Sequence, residues 1–81
     1  MDPKIHVIIK DKTRIYYEGD IFALSSYNEK GLFDILPFHE NFISLIRDKI
    51  ILHDKGTQKE MKINNGLLKT NGNKVSVYLG V

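Results

Sequence analysis

Short apolar runs that alternate with polar residues, cut by Gly- and Asn-rich clusters at a spacing of roughly 8 to 12 residues, restrict this chain to a small set of β architectures. Ile5, Val7 and Ile9 alternate with Lys4, His6 and Ile8, and Val75, Val77 and Leu79 alternate with Lys74, Ser76 and Tyr78. One set in each run suits a core and the other a wet face. The punctuation falls at Glu18-Gly19-Asp20, Asn28-Glu29-Lys30-Gly31, Asp54-Lys55-Gly56, Asn64-Asn65-Gly66 and Asn71-Gly72-Asn73. Glycine and asparagine accept the positive φ of tight hairpins, which makes Asn71-Gly72 the firmest turn. Strands are predicted at residues 4–10, 13–18, 20–27, 32–36, 42–46, 48–53, 57–63, 66–70 and 74–79. Residues 39–46 also fit a short helical turn, but extended backbone is the expectation. No linker, repeat or low-complexity stretch divides the chain, so a single all-β domain over residues 1–81, a sandwich or barrel, is expected.

A chain of 81 residues buries only roughly 60 to 65% of its unfolded surface on folding. With no cysteine, neither a disulfide nor a thiolate metal site can supplement that core. Stability must come from β packing or from a partner that binds the folded state. Twelve Lys and Arg against ten Asp and Glu is too even a balance for a nucleic-acid or membrane footprint. No apolar stretch approaches the ~20 residues that span a bilayer, and Met1-Asp2-Pro3-Lys4 opens no signal-peptide core. The expectation is a cytoplasmic protein without direct membrane insertion.

Chemistry-bearing residues are scattered. His6, His39 and His53 fall on separate predicted elements without acidic or cysteine neighbours at ligand spacing. Ser25, Ser26, Ser44 and Ser76 lie in no nucleophile-elbow context. The glycines are spread over hairpins rather than gathered between a strand and a helix, which argues against a phosphate cradle. No catalytic, cofactor-binding or metal-binding residue is therefore nominated. Tyr16, Tyr17, Phe22, Tyr27, Phe33, Phe38 and Tyr78 leave open an alternative, a free small β-barrel module that binds nucleic acid or a peptide.

The stretch GLFDILPFHENFISLI, residues 31–46, concentrates apolar side chains around Pro37. Its pattern Gly31-x-Phe33-x-Ile35-Leu36-Pro37-x-His39 resembles the Gly-Glu-Leu/Phe-Gly-Ile-Leu/Tyr-Pro-x-His signature of the epsilon subunit of F-type ATP synthases. Upstream, Ile5-His6-Val7-Ile8-Ile9 and Tyr17-Glu18-Gly19-Asp20 look like that family's opening strand and its Glu-Gly turn. Downstream, Asn64-Asn65-Gly66-Leu67-Leu68-Lys69-Thr70 and Asn73-Lys74-Val75-Ser76-Val77-Tyr78-Leu79 resemble its Ser-Gly-Gly-Phe-Leu-Glu-Val and closing-strand segments. Order and spacing agree from about residue 4 to 79.

The resemblance implies a ten-strand β-sandwich of two five-strand sheets and a central-stalk, non-catalytic role in a rotary ATPase. It implies a gamma-like stalk subunit as partner, polar loops of a c-ring below, and alpha and beta subunits in the same complex. The location it implies is peripheral, on the inner face of the cell membrane. Carried over by position, the ring-facing loop is residues 28–34 with Lys30 and Leu32 at its tip, while His39 and Ser44 approach gamma. This chain departs from the pattern at Leu32, where the family has an acid, and at Asp34, where it has a second glycine. Glu40-Asn41 replaces Ala-Pro, and Lys69 replaces a glutamate. The family's two-helix hairpin has no counterpart in these residues, so the role implied is coupling without braking and without a bound nucleotide. Phe33, Ile35, Phe42 and Leu45 are expected in the core, with Lys30, Leu32 and His39 outward.

Overall fold

Wherever the alternation is cleanest the backbone is extended, and the computed structural model, which describes residues 3–80, contains strands and turns only. The strands are β1 (Ile5–Lys10), β2 (Ile15–Ile21), β3 (Ala23–Asn28), β4 (Gly31–Ile35), β5 (Phe42–Asp54), β6 (Thr57–Asn71) and β7 (Lys74–Leu79). They form one seven-stranded sheet in the order β2-β1-β7-β6-β5-β3-β4. The β1–β7 pair is parallel and joins the two ends of the chain, while every other pair is antiparallel.

Two long strands turn this sheet into a sandwich. In the β5–β6 ladder Arg47 pairs with Asn65 and Asp48 with Ile63, so the register slips between Arg47 and Asp48. Asn64 of β6 is the unpaired extra residue there, Asp48 beside it on β5 has φ 73°, and such a bulge bends an antiparallel pair sharply. Before the bend, β5 borders β6 alone; after it, β5 also pairs with β3. Ile5, Val7 and Ile9 of β1 consequently share one core cluster with Leu24 of β3 and Ile35 of β4, although β1 and β4 are far apart in strand order. Only a sheet folded over on itself brings them together. Burying these apolar faces is the main favourable term in a chain without crosslinks.

The all-β sandwich expectation holds, but the strand count differs from ten. Predicted strands 42–46 and 48–53 are one strand, β5, and 57–63 and 66–70 are one strand, β6. Two predicted turns are also strand interior. Gly19 pairs with Val7 inside β2, and the break comes at Phe22, whose amide donates to His53 O at 3.0 Å. The Tyr17 ring covers Gly19, since a Cβ there would lie 2.9 Å from Tyr17 Oη. Gly66 lies in β6, where a Cβ would sit 3.1 Å from the Tyr78 carbonyl oxygen. Both glycines serve close approach within the sheet, not chain reversal. The other predicted turns are hairpins, with Gly56 and Gly72 at φ 67° and 63°.

Ile35 is buried, and Phe33 and Phe42 pack against the core with ring centroids 5.5 Å apart. Leu45 corrects the expectation, for it is 70% exposed. Ile46 is the residue of that pair turned inward, so strand alternation sends Leu45 to the opposite face.

Candidate functional site

The β3–β4 hairpin is preformed by its own first residue. Asn28 Oδ1 accepts the Lys30 amide at 2.9 Å, and Gly31 adopts φ 111° with open space around it. Lys30 is exposed at the turn. Leu32 follows on the edge strand β4, in register with Tyr27 and 60% exposed. Asn28 Nδ2 donates to Ser44 Oγ at 3.2 Å, and Ser44 Oγ donates to Leu45 O at 3.0 Å. Three of the four nominated residues, Lys30, Leu32 and Ser44, thus gather at one end of β5, and a shallow cleft lined by Lys30, Ile43, Ser44, Leu45 and Arg47 runs between the hairpin and that strand.

His39 lies apart, beyond the start of β5. It sits in the 36–41 segment, which is fastened to the β6–β7 turn by three bonds. Phe38 N donates to Asn73 Oδ1 at 2.7 Å, Gly72 N to Asn41 Oδ1 at 3.1 Å, and Thr70 Oγ1 to Glu40 O at 2.9 Å. His39 itself is half-buried, with its ring edge against Phe42 at 5.7 Å and its Nδ1 2.8 Å from Glu40 O. Phe38 is held at φ 66° and is 78% exposed. A bulky residue in the left-handed region is an outlier that the surrounding bonds must maintain.

Ser44 shares the inward side of β5 with Phe42 and Ile46, whereas Ile43 and Leu45 project outward. Leu45 continues in register through Leu67 of β6 to Tyr78 of β7, an apolar row across the outer face of the sheet. Sequence reasoning missed Ile43, Leu45 and Leu67 as surface. For Ile43 and Leu45 the alternation around Ile46, which faces inward with Ile50 and Leu52, carries that signal.

Two polar clusters join a histidine to carboxylates, one of them with a hydroxyl, without forming a catalytic relay. On the outer side of β3, Ser25 Oγ donates to Asp34 Oδ1, so the 2.9 Å contact with His53 is one in which His53 Nε2–H donates to Ser25 Oγ. A nucleophile needs the reverse order, with histidine accepting the hydroxyl proton and the carboxylate behind it. On β1, His6 Nδ1 meets Asp20 Oδ1 at 2.8 Å and Nε2 meets Glu18 Oε2 at 2.9 Å. The hydrogen bond to Asp20, then that to Glu18, pushes the His6 pKa above its usual value. With a carboxylate at each nitrogen, no ring lone pair is free for a ligand. Among the described residues no group of His, Asp and Glu suits a metal ion.

Of the candidate aromatic platforms, Tyr16 and Tyr78 are each covered by a cation, whereas Phe38 stands exposed. Tyr16 Oη donates to Asp11 Oδ2, and the Arg14 guanidinium lies 4.4 Å from the Tyr16 ring centroid. The bond to the Asp11 carboxylate raises the Tyr16 pKa, and in return it holds Asp11 well below the ordinary carboxylate range.

Residues 4–79 match the family model described as the ATP synthase, Delta/Epsilon chain, beta-sandwich domain. A curated relative, the ATP synthase epsilon chain of Clostridium novyi (strain NT), is 26% identical over 76 residues, covering 91% of this chain and 56% of the relative. Among solved structures, a chain of the Euglena gracilis mitochondrial ATP synthase (OSCP/F1/c-ring, rotational state 1) superposes with TM-score 0.86 at 14% identity. That match covers 94% of this chain and 50% of the other. A chain of the Tetrahymena thermophila mitochondrial ATP synthase central stalk and c-ring gives TM-score 0.81 at 9% identity, covering 99% and 66%. At these identities the superpositions speak for the fold. The chain spans about half the length of the curated relative and of the Euglena chain, 56% and 50%.

Proposed function

This chain belongs to the ATP synthase delta/epsilon chain β-sandwich family, and we propose from that premise that it is a non-catalytic central-stalk subunit of an F-type or F-type-like rotary ATPase. It binds a gamma-like stalk subunit and helps couple rotation to ATP synthesis or hydrolysis carried out in other subunits. The observation that carries the reading is the match over residues 4–79, which takes in every strand of the sandwich. The absence of a relay at Ser25 and the sequestered ring nitrogens of His6 support a role in contact rather than chemistry.

Within that reading, residues 1–81 act as one domain. Ser44 and His39 mark the segments turned to the gamma-like subunit, and Ile43 and Leu45, which project from the other side of the strand that carries Ser44, supply exposed apolar contact area. Lys30 and Leu32, on a hairpin braced by Asn28, form the lower loop toward the polar loops of a c-ring. The complex holds the chain at the inner face of the membrane; among the described residues no helix is long and apolar enough to cross one.

The test is composition. A tagged chain purified from its native cells in mild detergent is expected to bring alpha-, beta- and gamma-like subunits in fixed ratio. Recovery of the chain with no rotary ATPase subunit would overturn the reading.

A further inference from the structure

Residues 42–46 form an unguarded sheet edge. They pair with β6 on one side only, because the β3 ladder on β5 stops at Arg47. No turn or loop backbone bond reaches their other side among the described residues. An open row of amide and carbonyl groups is a template for another strand, and natural proteins normally protect it with charges, proline or a bulge. The remaining edges of this sandwich are protected in that way. β2 carries Glu18 and Asp20 and has an irregular register beside Lys10. The first half of β6 carries Lys59, Glu60 and Lys62, and β4 carries Asp34. Residues 42–46, Phe-Ile-Ser-Leu-Ile, carry neither charge nor proline, and they expose Ile43 at 64% and Leu45 at 70%.

The ends of this edge differ in charge. Lys30 and Arg47 line the cleft at its far end against a single acid, Glu29, and neither cation forms an ion pair among the described residues. We propose that residues 42–46 receive an extended segment of a partner polypeptide as an added strand, its apolar side chains over Ile43 and Leu45 and a carboxylate at the Lys30–Arg47 end. Main-chain hydrogen bonds supply affinity in such strand addition, and alternate side chains supply selectivity. The proposal rests on the stalk reading only for the native complex in which it is tested; the open edge and its charge stand without it.

The experiment compares amide hydrogen exchange of the chain alone and in the native complex recovered through its tag. Amides within residues 42–46 that point away from β6 are expected to slow by about tenfold or more in the complex, while those on the free sides of β4 and the first half of β6 stay unchanged. Leu45→Lys is expected to lower partner recovery by about tenfold, and Leu45→Val to retain it. Equal exchange in both states, or recovery of no partner, would overturn the proposal. Protection that rises with the concentration of the chain alone would also overturn it, by assigning the edge to a second copy. Protection in a complex without rotary ATPase subunits would sink the stalk reading and leave the strand addition standing.

Discussion

Asn28 at the end of β3 and Ser44 on the neighbouring strand β5 are joined by a 3.2 Å hydrogen bond that ties the β3–β4 hairpin to the exposed half of β5. The same Asn28 side chain caps the Lys30 amide through its oxygen. Asn28→Ala removes both bonds and is expected to destabilise the fold by about 1 to 2 kcal/mol in urea unfolding. It should also speed amide exchange at Lys30, a local effect that a merely global loss of stability would not single out. Unchanged exchange at Lys30 would mean that the hairpin holds its shape without this side chain.

The reversal of Leu45 and Ile46 relative to a simple reading of apolar residues as core gives a sharp mutational contrast. Ile46→Ala should cost about 2 to 5 kcal/mol through lost burial and a cavity, whereas Leu45→Lys should change stability by less than about 0.5 kcal/mol. Similar losses from both would contradict the strand parity of β5.

That contrast also shows where the sequence stops being legible. Alternation in β1 and β7 names the inward side directly, because Val7 and Val75 have polar or half-exposed neighbours on both sides. In β5 almost every residue from Phe42 to Leu52 that could face inward has an apolar neighbour that could do so equally, as Ile50, Ile51 and Leu52 do. Ile46, Ile50 and Leu52 all reach the core, so one parity runs through the strand, but apolar neighbours hide which one it is. Gly19 and Gly66 misled in the other direction, since a glycine that admits a close neighbour and one that reverses the chain look alike in sequence. The hairpin carrying Lys30 was readable because its asparagine and glycine do local work. The outward row of Leu45, Leu67 and Tyr78 was not, because it exists only across three strands.

The two strand glycines should respond differently to alanine. At Gly66 the added methyl meets the Tyr78 backbone carbonyl at 3.1 Å and Leu79 Cδ2 at 3.3 Å, in the buried ladder, so Gly66→Ala is expected to cost about 1 to 3 kcal/mol. At Gly19 it meets the far end of the Tyr17 side chain, which can swing by a few tenths of an ångström. Gly19→Ala should therefore be the milder change, since alanine also reduces the freedom of the unfolded chain. Thermal melting of the pair, with the reverse order as the contrary result, decides it.

His6 should make edge strand β2 sensitive to pH. Its folded pKa is raised by the bonds to Asp20 and Glu18, with Lys74 of β7 standing in register on its other side. The stabilisation is therefore fully present below the unfolded value of about 6.5 and is lost as pH rises through the higher folded value. The side chain is 42% exposed, so the effect is that of a screened surface group and shrinks with added salt. Unfolding midpoints from pH 6 to 9 should fall more for the native chain than for His6→Gln, which keeps hydrogen-bonding capacity without the titration. Parallel profiles would remove His6 from the account.

Leu32 tests the division of labour between the two proposed contacts. It stands 60% exposed on edge strand β4, paired with Tyr27. Leu32→Glu restores the acid of the family pattern and is expected to leave folding within about 0.5 kcal/mol of the native chain, as exposed substitutions do. Recovery of a gamma-like subunit should be unchanged, because the surface assigned to that partner lies on β5 and the 36–41 segment rather than on β4. Any effect should fall on attachment of the complex to its membrane sector, measured as the fraction of ATPase activity retained on washed membranes. Loss of the gamma-like subunit in this variant would show that the lower loop and the stalk-facing side have been assigned the wrong way round.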